Sequence, residues 1–128
     1  MAEIDKIAWI HLVDGRVLST RSHGRDVFYF PGGKREPGES DLQTLVREIR
    51  EELTVVIDPA TARPAGVFED QAHAHADGVR VRMTCYTASY EGTLRASSEI
   101  AEIAWLTYAD RARVSPVDQQ IFDSLTWG

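Results

Sequence analysis

Between Ser40 and Leu53 two patterns are written on one stretch of chain, and together they leave little freedom in how it folds. Leu42, Leu45, Val46, Ile49 and Leu53 recur at the three- and four-residue spacing of a single helical stripe. Ser40-Asp41-Leu42-Gln43 supplies a capping box, in which the serine hydroxyl accepts the Gln43 amide and the glutamine side chain reaches back. The spacing therefore predicts a helix from Ser40 to about Leu53, with one apolar side that must be buried. At about 100° per residue, Glu48, Glu51 and Glu52 share an arc of about 100° beside that side. Like charges three and four residues apart destabilise a helix by a few tenths of a kcal/mol per pair. Next to a core edge the repulsion is poorly screened, so the cluster calls for compensation. Arg47 stands one residue before Glu48 and four before Glu51, where it can pair with and orient a carboxylate. The ordinary reading of such a run is a salt-bridged solvent face. The alternative is a hard divalent cation, Mg²⁺ or Mn²⁺, which favours carboxylate and carbonyl oxygens and also binds substrate phosphates.

The rest of the chain alternates strand patterns around that helix. Alternation from Lys6 to Val13, then Asp14-Gly15, then Arg16 to Thr20, predicts a β-hairpin with a two-residue turn. Ser22 to Asp26 reads as a loop, Val27 to Phe30 as a short strand stopped by Pro31-Gly32-Gly33, and the chain onward to Ser40 as another loop. Val55 to Ile57, Ala65 to Phe68, Val79 to Tyr86 and Ile103 to Leu106 are further strands. Val117, Ile121, Phe122 and Leu125 take helical spacing after Ser115-Pro116. The order predicts an α/β fold with a mixed β-sheet and flanking helices, in one domain spanning 1–128.

Composition narrows the partners. The formal net charge is -6, and a polynucleotide-binding surface needs clustered Lys and Arg to displace counterions, so a nucleic acid polymer is not expected. The N-terminus lacks a basic segment leading into an apolar run, and no stretch approaches the length of a membrane span. No membrane association and a cytoplasmic location are therefore expected. Cys85, the single cysteine, lies in an apolar stretch and reads as a small buried thiol.

The spacing upstream of the helix decides between the two readings of the glutamates. Gly33, five residues, Glu39, seven residues, then Arg47-Glu48-Ile49-Arg50-Glu51-Glu52-Leu53-Thr54-Val55 resembles the Nudix box, G-x5-E-x7-R-E-U-x-E-E-x-G-U, with U a bulky apolar residue. The departure is Thr54, where the family usually has glycine. A β-branched residue resists the left-handed cap that glycine tolerates, so the helix-to-strand turn is expected to differ there. The resemblance, supported by Phe30-Pro31-Gly32-Gly33-Lys34, implies a Nudix α/β/α sandwich that hydrolyses a phosphoanhydride in a nucleoside-diphosphate-linked substrate. It implies that Glu48, Glu51 and Glu52 ligate Mg²⁺ or Mn²⁺ with the Gly32 carbonyl, and that one glutamate activates water. Glu39, Gly33 and Arg47 would hold loop and helix together, and a homodimer is compatible with it.

Family members in which a late-loop glutamate binds metal or serves as base suggest Glu99, with Glu102 second. Arg21 and Lys34 are candidates to meet phosphates. Phe30 and Gly33 lie at the entry to the box, and Phe28, Tyr86, Trp105 and Asp118 are candidates for recognising a base. His73 and His75 flank Ala74, a pairing that suggests either a metal site or a lid contact. Enzymes resembling ADP-ribose pyrophosphatases tend to carry proline where this chain has Asp70, and dinucleoside-polyphosphate enzymes tyrosine where it has Ala72. Their absence leans toward a MutT-like enzyme releasing a nucleoside monophosphate and pyrophosphate from a nucleoside triphosphate, oxidised ones included. An ADP-ribose or nucleotide-sugar pyrophosphatase is the rival within the chemistry. A non-catalytic nucleotide-sensing Nudix module is the rival outside it, although such modules usually lose box glutamates that this chain keeps.

Overall fold

The computed structural model describes residues 3–127. In chain order its elements are β1 (Glu3–Trp9), β2 (Leu12–Val13), β3 (Arg16–Ser22), β4 (Gly32–Lys34), α1 (Asp41–Leu53), β5 (Val56–Ile57), β6 (Arg63–Gln71), β7 (Arg80–Thr87), β8 (Tyr90–Glu91), β9 (Ile100–Leu106) and α2 (Pro116–Ser124). One sheet runs β4-β1-β7-β6, a second β2-β3-β9, and β5 pairs with β8. The β1–β7 pair is parallel and its neighbours are antiparallel, so the main sheet is mixed. Among the described residues no helix is long and apolar enough to cross a membrane.

β1 is buried on both faces, and that makes the sandwich. Ile7 and Trp9 pack with Leu45, Ile49 and Leu53 of α1. Ala8 and the following Ile10 pack with Val81, Met83 and Cys85 of β7 and with Ile121 and Phe122 of α2. Helices thus cover opposite faces of one sheet. Cys85 is fully buried, and that burial pushes its thiol up to about 12.

The helix forms as its pattern dictates. Ser40 accepts the Gln43 amide, and the Gln43 side chain accepts the Ser40 amide, closing the capping box. Thr54 does adopt the left-handed cap, at φ 62 and ψ 20, and its amide donates to the Arg50 carbonyl. Its hydroxyl donates to the Thr93 carbonyl at 3.1 Å, a bond glycine lacks. The turn is therefore retained, contrary to the expectation from its side chain.

Three expectations about the first third of the chain are corrected. The hairpin is confined to β2 and β3, across Asp14 and Gly15 at φ 51 and 75. β1 belongs to the other sheet, because a run apolar on both faces suits a central covered strand rather than one arm of an exposed hairpin. Val27 to Phe30 makes only isolated bridges, Thr20 with Tyr29 and Phe28 with Val114. The strand lies instead at Gly32–Lys34, where the glycines looked like a stop. A Cβ on Gly32 would collide with the Ile7 carbonyl, so glycine here marks close approach of two backbones. Elsewhere, β6 extends to Gln71, and β9 begins at Ile100.

Candidate active site

β4 lies beside β1 on one side and near α1 on the other, and the contacts leave room only for glycine. A Cβ on Gly33 would overlap the Glu48 carboxylate. One turn further along α1, Glu52 is buried, and its carboxylate accepts the Gly32 amide at 3.0 Å. The loop after β8 is pinned to the end of the same helix, with the Arg95 amide donating to the Leu53 carbonyl and the Ser97 amide to the Glu52 carbonyl. Ser98 then turns with φ 57, and Glu99 lines the same cavity as Glu48 and Glu52. Three carboxylates from two distant segments thus meet at one opening. The cavity measures about 540 Å³, within the range of small-molecule sites.

Arg47 organises the surroundings. Its guanidinium donates to both Glu39 oxygens at 2.7 and 2.9 Å, to Glu48 at 2.7 Å and to the Lys34 carbonyl at 3.0 Å. Glu39 also accepts the Glu36 amide and the Thr44 hydroxyl. One bidentate pair therefore ties the loop, β4 and α1 together. The Arg47 guanidinium holds the Glu39 carboxyl down at about 2. Glu51 lies differently: its side chain is half exposed, stands 3.5 Å from Arg47, and is outside the cavity lining.

Burial dominates the electrostatics of the other glutamates. Desolvation, reinforced by Glu48 and Glu99, pushes Glu52 up to about 8 despite the Gly32 amide. Burial likewise raises Glu48, against the pull of Arg47. Among the described residues no group of His, Cys, Asp and Glu stands ready-made as a metal cluster. The donor set nonetheless fits a hard divalent cation: carboxylate oxygens gathered at one opening are stabilised in their ionised form by positive charge between them.

At α2, Asp118 is fully buried and accepts the Phe30 amide at 2.8 Å through one oxygen, while its other oxygen has no partner. Burial pushes it up to about 7. Phe30, Ser115 and Val117 line the cavity, but Asp118, expected to contact substrate, lies behind them and reaches it only through the Phe30 amide. The remaining candidates for recognising a base lie elsewhere. Phe28 is a core residue under the Arg113 guanidinium, the Tyr86 hydroxyl donates to Asp41, and Trp105 is 40% exposed beside His11. Arg21 is paired with Glu102 at 2.7 Å, and neither lines the cavity. Lys34 does. His73 and His75 also line it, and His73 bonds Asp26 at 3.1 Å.

Sequence reasoning missed Lys6, His23, Arg25 and Tyr29, all of which line the cavity. The signal for Lys6 was available: a charged residue at an inward position between Ile4 and Ala8. The loop residues carry no periodic signal.

A family model described as the NUDIX domain matches residues 5–125. An RNA pyrophosphohydrolase of Halorhodospira halophila is 50% identical over 40 residues, covering 31% of this chain and 22% of that protein. A CTP pyrophosphohydrolase of Escherichia coli is 42% identical over 59 residues, covering 43% of this chain and 44% of that protein. In both cases the match spans less than half the relative's length. Among solved structures, a MutT NUDIX hydrolase from Burkholderia pseudomallei superposes with a TM-score of 0.81 at 20% identity, covering 98% of this chain and 100% of that one.

Proposed function

The chain belongs to the Nudix family, pyrophosphohydrolases acting on acid anhydrides, and from that premise we propose that it hydrolyses nucleoside triphosphates to a nucleoside monophosphate and pyrophosphate. The observation that carries this reading is the convergence of Glu48, Glu52 and Glu99 on one cavity of nucleotide size. The partial match to a CTP pyrophosphohydrolase supports a triphosphate as substrate.

Nudix hydrolases generally need a divalent metal. Here Glu48 and Glu52 would hold Mg²⁺ or Mn²⁺, joined by Glu99, by Glu51 once it turns from Arg47, and by the Gly32 carbonyl. When bound, the ion supplies positive charge at the phosphates and lowers the pKa of water. The chain's own residues do the rest. Arg47 fixes Glu48 through its bond to that carboxylate and fixes β4 through the Lys34 carbonyl. Gly33 leaves the space that the Glu48 carboxylate fills. One glutamate of the cavity takes a proton from the attacking water, and Glu99 is a candidate for that base. Lys34 meets the phosphates, and Phe30, whose amide the buried Asp118 holds, forms the end of the cavity that receives the base.

A panel of nucleoside triphosphates, ADP-ribose and nucleotide sugars, assayed with Mg²⁺ and with Mn²⁺, tests the reading. Release of nucleoside monophosphate with pyrophosphate is expected from at least one triphosphate. Exclusive turnover of ADP-ribose or a nucleotide sugar overturns the substrate assignment.

A further inference from the structure

Ile4, Lys6 and Ala8 share the face of β1 that turns toward α2, and only Lys6 is charged. Its directly opposed residue on β4 is Lys34. Opposed residues of an antiparallel pair project from the same face, and like charges placed so destabilise the pair. Both lysines line the cavity that Glu48 and Glu52 enter. The Lys6 ammonium lies over the Tyr29 ring, 5.4 Å from its centroid, which restrains it without neutralising it. Among the described residues it forms no hydrogen bond or ion pair. Burial lowers its pKa; the carboxylates of Asp118 and Glu52 oppose that lowering, and Lys34 adds a smaller one to it.

We propose that Lys6 and Lys34 form a two-lysine clamp for the oxyanions of the diphosphate that the reaction releases. An anion between the two ammonium groups removes their repulsion. It also gives Lys6 a direct contact, where Asp118 and Glu52 act on it only through their charge. The clamp borders the carboxylates, since Lys6 and Lys34 line the same cavity as Glu48 and Glu52, and Glu52 is close enough to act on Lys6 through its charge. Compact ammonium charges with rotating donors suit phosphate oxygens arriving from several directions. The proposal rests on reading the site as a pyrophosphohydrolase, and it adds Lys6, which lies far outside the sequence motif.

The test is calorimetric titration of the full chain with inorganic pyrophosphate in the presence of Mg²⁺, beside titration with cytidine. Lys6→Met keeps the aliphatic stem and removes the charge; Lys6→Gln serves if the methionine variant does not melt cooperatively. The clamp predicts at least a tenfold loss of pyrophosphate affinity with cytidine binding unchanged, and largely restored affinity in Lys6→Arg. In turnover, KM for the triphosphate rises more than kcat falls. Undiminished pyrophosphate affinity overturns the clamp, as does a loss confined to cytidine, which would make Lys6 a reader of the base. Because pyrophosphate binding needs no turnover, a wild-type protein that binds pyrophosphate through Lys6 yet hydrolyses no triphosphate retains the clamp and loses the assigned reaction.

Discussion

Replacing Glu52 by glutamine should make the metal-free protein more stable at alkaline pH while removing its activity. In the folded chain the Glu52 carboxyl is held at about 8, against an ordinary value of 4.5. The folded state thus keeps a proton that the unfolded state has lost, so stability falls as pH rises from 4.5 and levels off above 8. At about 1.4 kcal/mol per pH unit that window is worth about 5 kcal/mol as an upper bound. Glutamine cannot ionise, and its amide oxygen can still accept the Gly32 amide. Its own burial consumes part of the gain, leaving about 2–4 kcal/mol. Urea denaturation of both proteins with a chelator at pH 4.5, 6.5 and 8.5 isolates Glu52, because Asp118 titrates alike in each. The variant should gain steadily on the wild type with pH. Adding Mg²⁺ should then stabilise the wild type and leave the variant nearly unmoved. An equal difference at all three pH values would refute the burial argument, and a less stable variant at pH 8.5 would reverse it.

Gly33→Ala drives a Cβ into the Glu48 carboxylate; steady-state assays should find kcat reduced about 100-fold, the scale of an ångström-sized misplacement, with the fold intact by circular dichroism. Arg47→Lys keeps the charge but loses the bidentate grip on Glu39, so kcat should fall at least tenfold in the same assay. Asp118→Asn should leave kcat for the best substrate within about tenfold yet change the ranking of bases in a triphosphate panel, by about 1–3 kcal/mol in kcat/KM between rivals. Thr54→Val retains the left-handed cap but not the bond to Thr93, and urea denaturation should show a loss of about 1 kcal/mol.

What was legible in the sequence follows from how local each cause is. The capping box, the apolar stripe and the glutamate arc all lie within α1, and each was readable because a helix repeats on its own residues. The Gly33, Glu39 and Arg47 spacing carried the motif, and in the structure Arg47 and Glu39 form an ion pair. By contrast, β4 was hidden because glycine commonly signals a turn, whereas here it permits contact with β1 that only the tertiary fold creates. β1 was joined to the wrong partner because alternation reveals a strand and not its neighbours. Glu99 was named by resemblance alone, and its place on the cavity with Glu48 depends on loop bonds to the carbonyls of Glu52 and Leu53, which no sequence pattern shows. Arg21 and Glu102, both charged and near the expected site, satisfy one another across β3 and β9.

The central claim is that the carboxylates gathered on this cavity cut a phosphoanhydride with the help of a divalent cation. Its most direct test follows nucleoside monophosphate and pyrophosphate release from triphosphates by the wild type, with Mg²⁺ or Mn²⁺ and then with chelator, beside Glu52→Gln. Metal-dependent release of both products in equal amounts is expected, lost on chelation and lost in the variant although it remains folded. Undiminished release by folded Glu52→Gln, or by the wild type in excess chelator, would contradict it.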